Sequence, residues 1–251
     1  MQRSALGLVA AVYLIAVLTG CTSPTKTSPV GRLPEPLWAT RPPAKPLDAV
    51  PRPPEPQPKP AAPRFDTTVP RSWTPSGGIR RGLWKEIVVH HSASPRSTPQ
   101  GMNSWHLQRG WENGLGYHFV IGNGVNYPDG EVYVGQRWRS QIQGAHCKTG
   151  SGRYLGRWLP GGYFNDHGIG ICLIGDFQNS PPTRAQLASL QRLLAFLCRA
   201  TGIDPENIHG HGEVTHKTAC PGRYVDMSAL RRSAAAILAG EGPFSPYAFS
   251  R

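Results

Sequence analysis

HGIGICLIGDF, residues 167–177, is the stretch on which the fold turns. It is an apolar run broken only by glycine. Strands covered on both sides read this way, so this one is expected to be a buried central strand. Downstream, Thr183 and Gln186 stand three residues apart, the pattern of a capping box. Leu187, Leu190, Leu194 and Leu197 then recur at helical spacing, and Gly202 ends the helix. A second, alanine-rich helix is expected over 227–238. Upstream, KEIVVHHSAS (85–94) reads as a short strand over Ile87 to Val89, and PQGMNSWHLQR (99–109) as a helix closed by Gly110. YHFVIGNG (117–124) and EVYVGQRW (131–138) read as two strands joined across Pro128-Asp129-Gly130. Strands and helices alternate, so the fold class is α/β: a central mixed β-sheet flanked by helices.

Outside this region the chain changes character. MQRS is followed by ALGLVAAVYLIAVL (5–18), shorter than the ~20 residues of a membrane span, and then by LTGC (18–21). A short apolar run ending in small residues reads as a secretory signal over 1–20. LTGC resembles a bacterial lipobox, which implies lipidation of Cys21. Thr22 after the cysteine, rather than Asp, implies an outer-membrane anchor facing the periplasm. Residues 22–76 carry 16 of the 26 prolines, densest in RPPEPQPKPAAP (52–63), and read as an extended linker. The expected domains are therefore signal peptide 1–20, lipidated cysteine and linker 21–76, folded domain 77–240 and tail 241–251.

Charge and cysteine usage narrow the function classes. The net charge is +12, which suits an anionic polymer or an acidic surface. No basic run or RNA-binding signature accompanies it, so no nucleic-acid partner is expected. With Cys21 lipidated, four cysteines enter an oxidising compartment, which permits two disulfides, or one metal ligand and an odd set; Cys198, beside Leu197, reads as packed, and Cys147, Cys172 and Cys198 could supply one disulfide whose pair stays open.

The chemistry-bearing residues cluster at two places. His90 and His91 are adjacent at a strand end, so their side chains point to opposite faces and only one of them can face a shared metal. HGEVTHKTACPG (211–222) adds His211, His216 and Cys220, and His209 lies just before it. Catalytic zinc takes three protein ligands from nitrogen and sulfur donors and keeps a fourth position open. Spacing alone does not select three from His90, His91, His209, His211, His216 and Cys220.

VVHHSAS (88–94), GWENGLGYHFVIGNG (110–124), GAH (144–146), HGIGICLIGDF and HGEVTHKTACPG occur in that order. Together, over residues 84–238, they resemble the zinc-dependent N-acetylmuramoyl-L-alanine amidase domain of phage-type amidases and peptidoglycan recognition proteins. The resemblance implies a Zn2+ cofactor on His90, His211 and Cys220, with Tyr117 catalytic and Lys217 or Thr218 as the donor that stabilises developing negative charge. It implies cleavage of the amide between N-acetylmuramic acid and L-alanine in peptidoglycan or muropeptides. The chain itself is expected to be a monomer held to a membrane by its lipid. His146, Arg109 and Arg137 are expected to touch substrate. Family members that only bind peptidoglycan typically lack the cysteine ligand, which is present here. A structural zinc would need a fourth protein ligand, and His216 is the candidate. Two departures stand out. Recycling-type relatives carry glutamate where this chain has Cys172, and residues 151–164, rich in Arg, Tyr and Trp, are longer than in relatives.

Overall fold

The computed structural model describes residues 69–241. The signal segment, Cys21, most of the linker and residues 242–251 lie outside the described residues. Five strands form one mixed sheet: β1 (Glu86–His91), β2 (Phe119–Ile121), β3 (Val132–Val134), β6 (Gly168–Leu173) and β7 (Ile208–Gly210), in the order β3-β2-β6-β1-β7. β6 pairs in parallel with β1 on one side and with β2 on the other, and β1 pairs in parallel with β7. Within this sheet only β2 and β3 run antiparallel, across the turn that contains Pro128-Asp129-Gly130; α1 (Pro99–Gln108) precedes β2 and α2 (Gln136–Arg139) follows β3. The glycine-broken run is thus the central strand, and every residue of β6 is buried.

Each face of the sheet has its own cover. Ile87 and Val89 of β1 and Ile169, Ile171 and Leu173 of β6 enter the main core. There they meet α4 (Arg184–Thr201) through Leu190, Leu193, Leu194 and Leu197, and α6 (Met227–Ala239) through Leu230 and Ala234. The expected capping box is formed: Thr183 Oγ1 accepts from Gln186 N–H, and the Gln186 side chain accepts from Thr183 N–H. Gly202 ends α4 in the left-handed conformation that glycine adopts without steric cost. Trp73 is only 2% exposed and packs in this core, with its carbonyl accepting from Trp138 Nε1. The core therefore reaches back before residue 77, where the sequence places the start of the domain. The expectation missed it because one tryptophan gives no periodicity.

Val88 leaves the opposite face and packs with Cys147, Leu159, Phe164 and Val214. This cover is built largely by 151–164, which folds as an antiparallel hairpin, β4 (Gly152–Tyr154) and β5 (Arg157–Leu159), followed by α3 (Tyr163–Asp166). The hairpin is pinned by Glu86, a fully buried carboxylate at the start of β1. Glu86 accepts from Arg157 at 2.6 Å, lies 2.9 Å from His209 Nε2 and accepts from Tyr163 Oη at 3.4 Å. Burial alone raises its pKa, but the bonds from His209 and Arg157 outweigh that and hold it below the ordinary carboxylate value.

No disulfide forms among the described residues. All four described cysteines are free, and Cys147, Cys172 and Cys198 sit in three separate apolar clusters, one on the α4 side of the sheet and two on the other. Cys147 and Cys198 behave as small apolar side chains.

Because Glu86 is held below its unfolded pKa, its contribution to stability is present at neutral pH and is lost as pH falls through the folded value. Arg157→Ala is expected to destabilise the fold by about 1–2 kcal/mol at pH 7, less than for a fully buried pair because Arg157 is half exposed. Urea unfolding at pH 7 and near pH 3 checks this, with the difference from wild type shrinking at the lower pH.

Candidate metal centre

The pleat of β1 sorts its two histidines. His91 lies on the α4 side, where its Nδ1 accepts from Phe177 N–H and its ring lies beside Phe177. His90, buried, points to the other face. The second cluster reaches it because β7 lies beside β1 and delivers α5 (His211–Thr215) directly after Gly210. His211 is the first residue of that helix, and its ring centroid is 4.6 Å from that of His90. Cys220 returns on the following loop, which is closed by Gly212 N–H donating to the Cys220 carbonyl at 2.6 Å. The Cys220 sulfur accepts from His91 N–H at 3.3 Å and stands 3.8 Å from His90 Nδ1.

One donor atom each from His90, His211 and Cys220 lies within 4.8 Å of the others. Donors about 2.0–2.3 Å from a tetrahedral zinc ion sit roughly 3.5 Å apart, so the group needs only a small contraction to hold one. The donor chemistry fits as well. Burial, then the neighbouring histidines, lower the His90 pKa well below its ordinary value, and burial lowers that of His211, so both rings are neutral. Burial pushes the Cys220 thiol up to about 11, opposed by the His91 N–H. A bound dication reverses that preference, because a coordinating thiol gives up its proton. Two imidazoles and a thiolate suit zinc.

The Tyr117 ring lies 5.2 Å from that of His90, and its hydroxyl is paired with the Cys172 thiol. Burial first, then Cys172 and Cys220, raise its pKa well above the phenol value, so it keeps its proton. Thr218 Oγ1 accepts from Cys220 N–H at 3.2 Å, and Lys217 is exposed beside it. A cleft of about 650 Å³ opens against His211 and is lined by Trp111, Arg137, His146, Lys148 and Asn165. Arg137 borders this cleft, but its Nε and one terminal nitrogen donate to the carbonyls of Leu115 and Gln143. His146 borders it too, with both ring nitrogens already in contact, one with His90 and one with the Gly168 carbonyl. Arg109 is exposed and stacks over Trp105 rather than lining the cleft. A second cleft of about 360 Å³ is lined by Tyr117 together with Arg96, Met102 and Trp105. Sequence reasoning named neither Trp111 nor Lys148 as a cleft residue, although Trp111 stands in the GWENGLGY motif.

His216 is not part of the group: it ends α5 in a left-handed conformation, exposed, and borders a different cavity with His209 and Arg231. Glu213 accepts from Gly210 N–H and pairs with Arg231.

The chain belongs to the N-acetylmuramoyl-L-alanine amidase family (Amidase_2), whose model matches residues 80–223. Peptidoglycan-recognition protein LB of Drosophila melanogaster is 33% identical over 147 residues, covering 54% of this chain and 53% of that protein. The chain thus spans about half the length of this curated relative. Among solved structures, the endolysin N-acetylmuramoyl-L-alanine amidase LysCS from Clostridium intestinale is 29% identical, with 60% of this chain and 82% of that one covered and a TM-score of 0.48. Drosophila PGRP-LB is 31% identical, covering 57% and 77% respectively, with a TM-score of 0.43.

The geometry separates His216 from the three clustered donors. His216→Ala is expected to leave zinc content at wild-type stoichiometry, while Cys220→Ala lowers zinc affinity by orders of magnitude, both read by metal analysis after dialysis against a weak chelator.

Proposed function

We propose that the protein is a zinc-dependent N-acetylmuramoyl-L-alanine amidase that hydrolyses the amide joining N-acetylmuramic acid to L-alanine in peptidoglycan or muropeptides. The observation that carries this reading is the clustering of three neutral zinc donors, His90, His211 and Cys220, beside a cleft and a protonated tyrosine. Three protein ligands rather than four is the arrangement of catalytic rather than structural zinc.

Zinc held there supplies Lewis acidity to the scissile carbonyl and to the attacking water. The chain's own residues do the rest. His90 and His211, kept neutral by burial, present lone pairs rather than protons at ordinary pH. Cys220 contributes a charged sulfur, partly satisfied by the His91 N–H. Tyr117 holds a hydroxyl proton that can be donated to the oxygen on which charge develops, or can orient the water. Thr218 uses its oxygen to accept from Cys220 N–H, which leaves its own proton free to point at substrate. Lys217 next to it adds positive charge. A well-placed donor of this kind contributes roughly 3 kcal/mol to the transition state. The cationic side chains of the domain, 18 Lys and Arg against 11 Asp and Glu from residue 80 onward, suit the carboxylates of a stem peptide. LTGC and the proline-rich run support anchoring at the outer membrane, with the domain reaching through the periplasm as a monomer.

The reading is tested by incubating the purified full chain with muropeptides and weighing the products. Free stem peptide beginning with L-alanine should appear, vanish on chelation and return with zinc. Tyr117→Phe should lower kcat by about a hundredfold or more with zinc content unchanged. A folded, zinc-loaded chain that binds muropeptide and leaves it intact would make this a recognition module instead. Separately, Cys21→Ser is expected to abolish fatty-acid labelling of the chain in cells.

A further inference from the structure

His146 is held more firmly than a substrate contact needs to be. Its N–H and that of Cys147 both donate to Asn165 Oδ1, at 2.9 and 2.8 Å, while Gly144 N–H donates to the Asn165 carbonyl. The ring lies in a slot between two glycines. A Cβ at Gly170 would fall 2.5 Å from His146 Cγ, and one at Gly144 would fall 2.7 Å from Nε2, so neither position has room for a side chain while the ring is there. The rings of His118 and His90 close the slot edge-on, at 5.8 and 5.0 Å.

This placement dictates where the protons sit. The Gly168 carbonyl, 3.1 Å from His146 Nε2, can only accept, so Nε2 carries a proton. The described contacts of His146 include no carboxylate that would hold a second proton in this buried place, so Nδ1 is a bare acceptor. It lies 3.1 Å from His90 Nε2, which must then be the donor. A neutral imidazole has one proton, so His90 Nδ1 is left bare, and that is the nitrogen facing Cys220 Sγ. Polarity passes through two rings from one backbone carbonyl to the lone pair that would bind metal.

We infer that His146 is a positioning residue: it fixes His90 in the Nε2–H tautomer, with Nδ1 presented to the metal, and does not itself bind substrate. This rests on reading His90, His211 and Cys220 as a zinc site. The groups that orient a histidine ligand through its second nitrogen typically contribute 10–100-fold to metal affinity.

The test uses the full chain and two substitutions. His146→Leu fills the slot without an acceptor. His146→Asn places an amide oxygen near the position of Nδ1, where it can still accept from His90. Zinc affinity, measured by competition with a chelator, should fall 10–100-fold in His146→Leu and stay within about threefold of wild type in His146→Asn. Ring nitrogen shifts of the metal-free protein, read by long-range proton–nitrogen correlation, should show His90 Nδ1 unprotonated in wild type and in His146→Asn. In His146→Leu the two tautomers should be mixed. A metal-free wild type with the proton on His90 Nδ1 overturns the inference. So does a folded His146→Leu with wild-type affinity, or an equal loss in both variants with the His90 tautomer intact, which is the signature of packing alone. If His146→Leu does not fold, the wild-type and His146→Asn measurements decide. Failure of wild type to bind zinc would refute the amidase reading, while the His90 tautomer would still be read in the same metal-free sample.

Discussion

The structure depends on the register of β1 between β6 and β7. Six consecutive residues of β1 are paired to β6, and their alternation assigns each side chain a face: Ile87, Val89 and His91 to the helical side, Glu86, Val88 and His90 to the other. A slip of one residue would carry Glu86 into the main core and exchange His90 for His91 at the donor group, because the side-chain period of a strand is two. Packing and chemistry therefore enforce the same register. The apolar residues hold the strand where the histidine must be, and the buried carboxylate at its start can be satisfied only where Arg157, His209 and Tyr163 surround it.

Much of this was legible in the chain, for identifiable reasons. The continuous apolar run of β6 announces a strand with two covered faces. The capping box and leucine spacing of α4 are local signals and appear where expected. Adjacent histidines at a strand end had to diverge, and they do. What could not be read is whatever depends on long-range packing. Trp73 joins the core from a proline-rich approach that carries no pattern. Residues 151–164 contain buried and exposed aromatics side by side: Phe164 is in the core while Trp158, on the same hairpin-and-helix segment, is 73% exposed. Composition alone cannot assign the two. No disulfide forms among the described cysteines, for a reason of the same kind. Counting thiols says nothing of which side of a sheet each one faces.

The site shows the same division. Motif order was enough to nominate His90, His211 and Cys220, and the fold brings these three together. It did not reveal how the surroundings are used. Arg137 and His146 both border the cleft, as an expectation of substrate contact would require, yet their polar atoms are largely committed to backbone carbonyls and to His90. Hydrogen-bond saturation is invisible in a sequence, where an arginine beside a motif looks the same whether it is free or committed.

The donors are also distributed unevenly along the chain. His211 and Cys220 are neighbours in one loop, whereas His90 stands 130 positions from Cys220 and is delivered only by strand pairing. A chain that has not yet assembled β6, β1 and β7 carries two-thirds of the ligand set, and its two local donors make a poor chelate. Acquisition of an ion that needs all three is therefore conditional on a finished sheet. Metal capture by all three donors follows assembly of the sheet and cannot precede it.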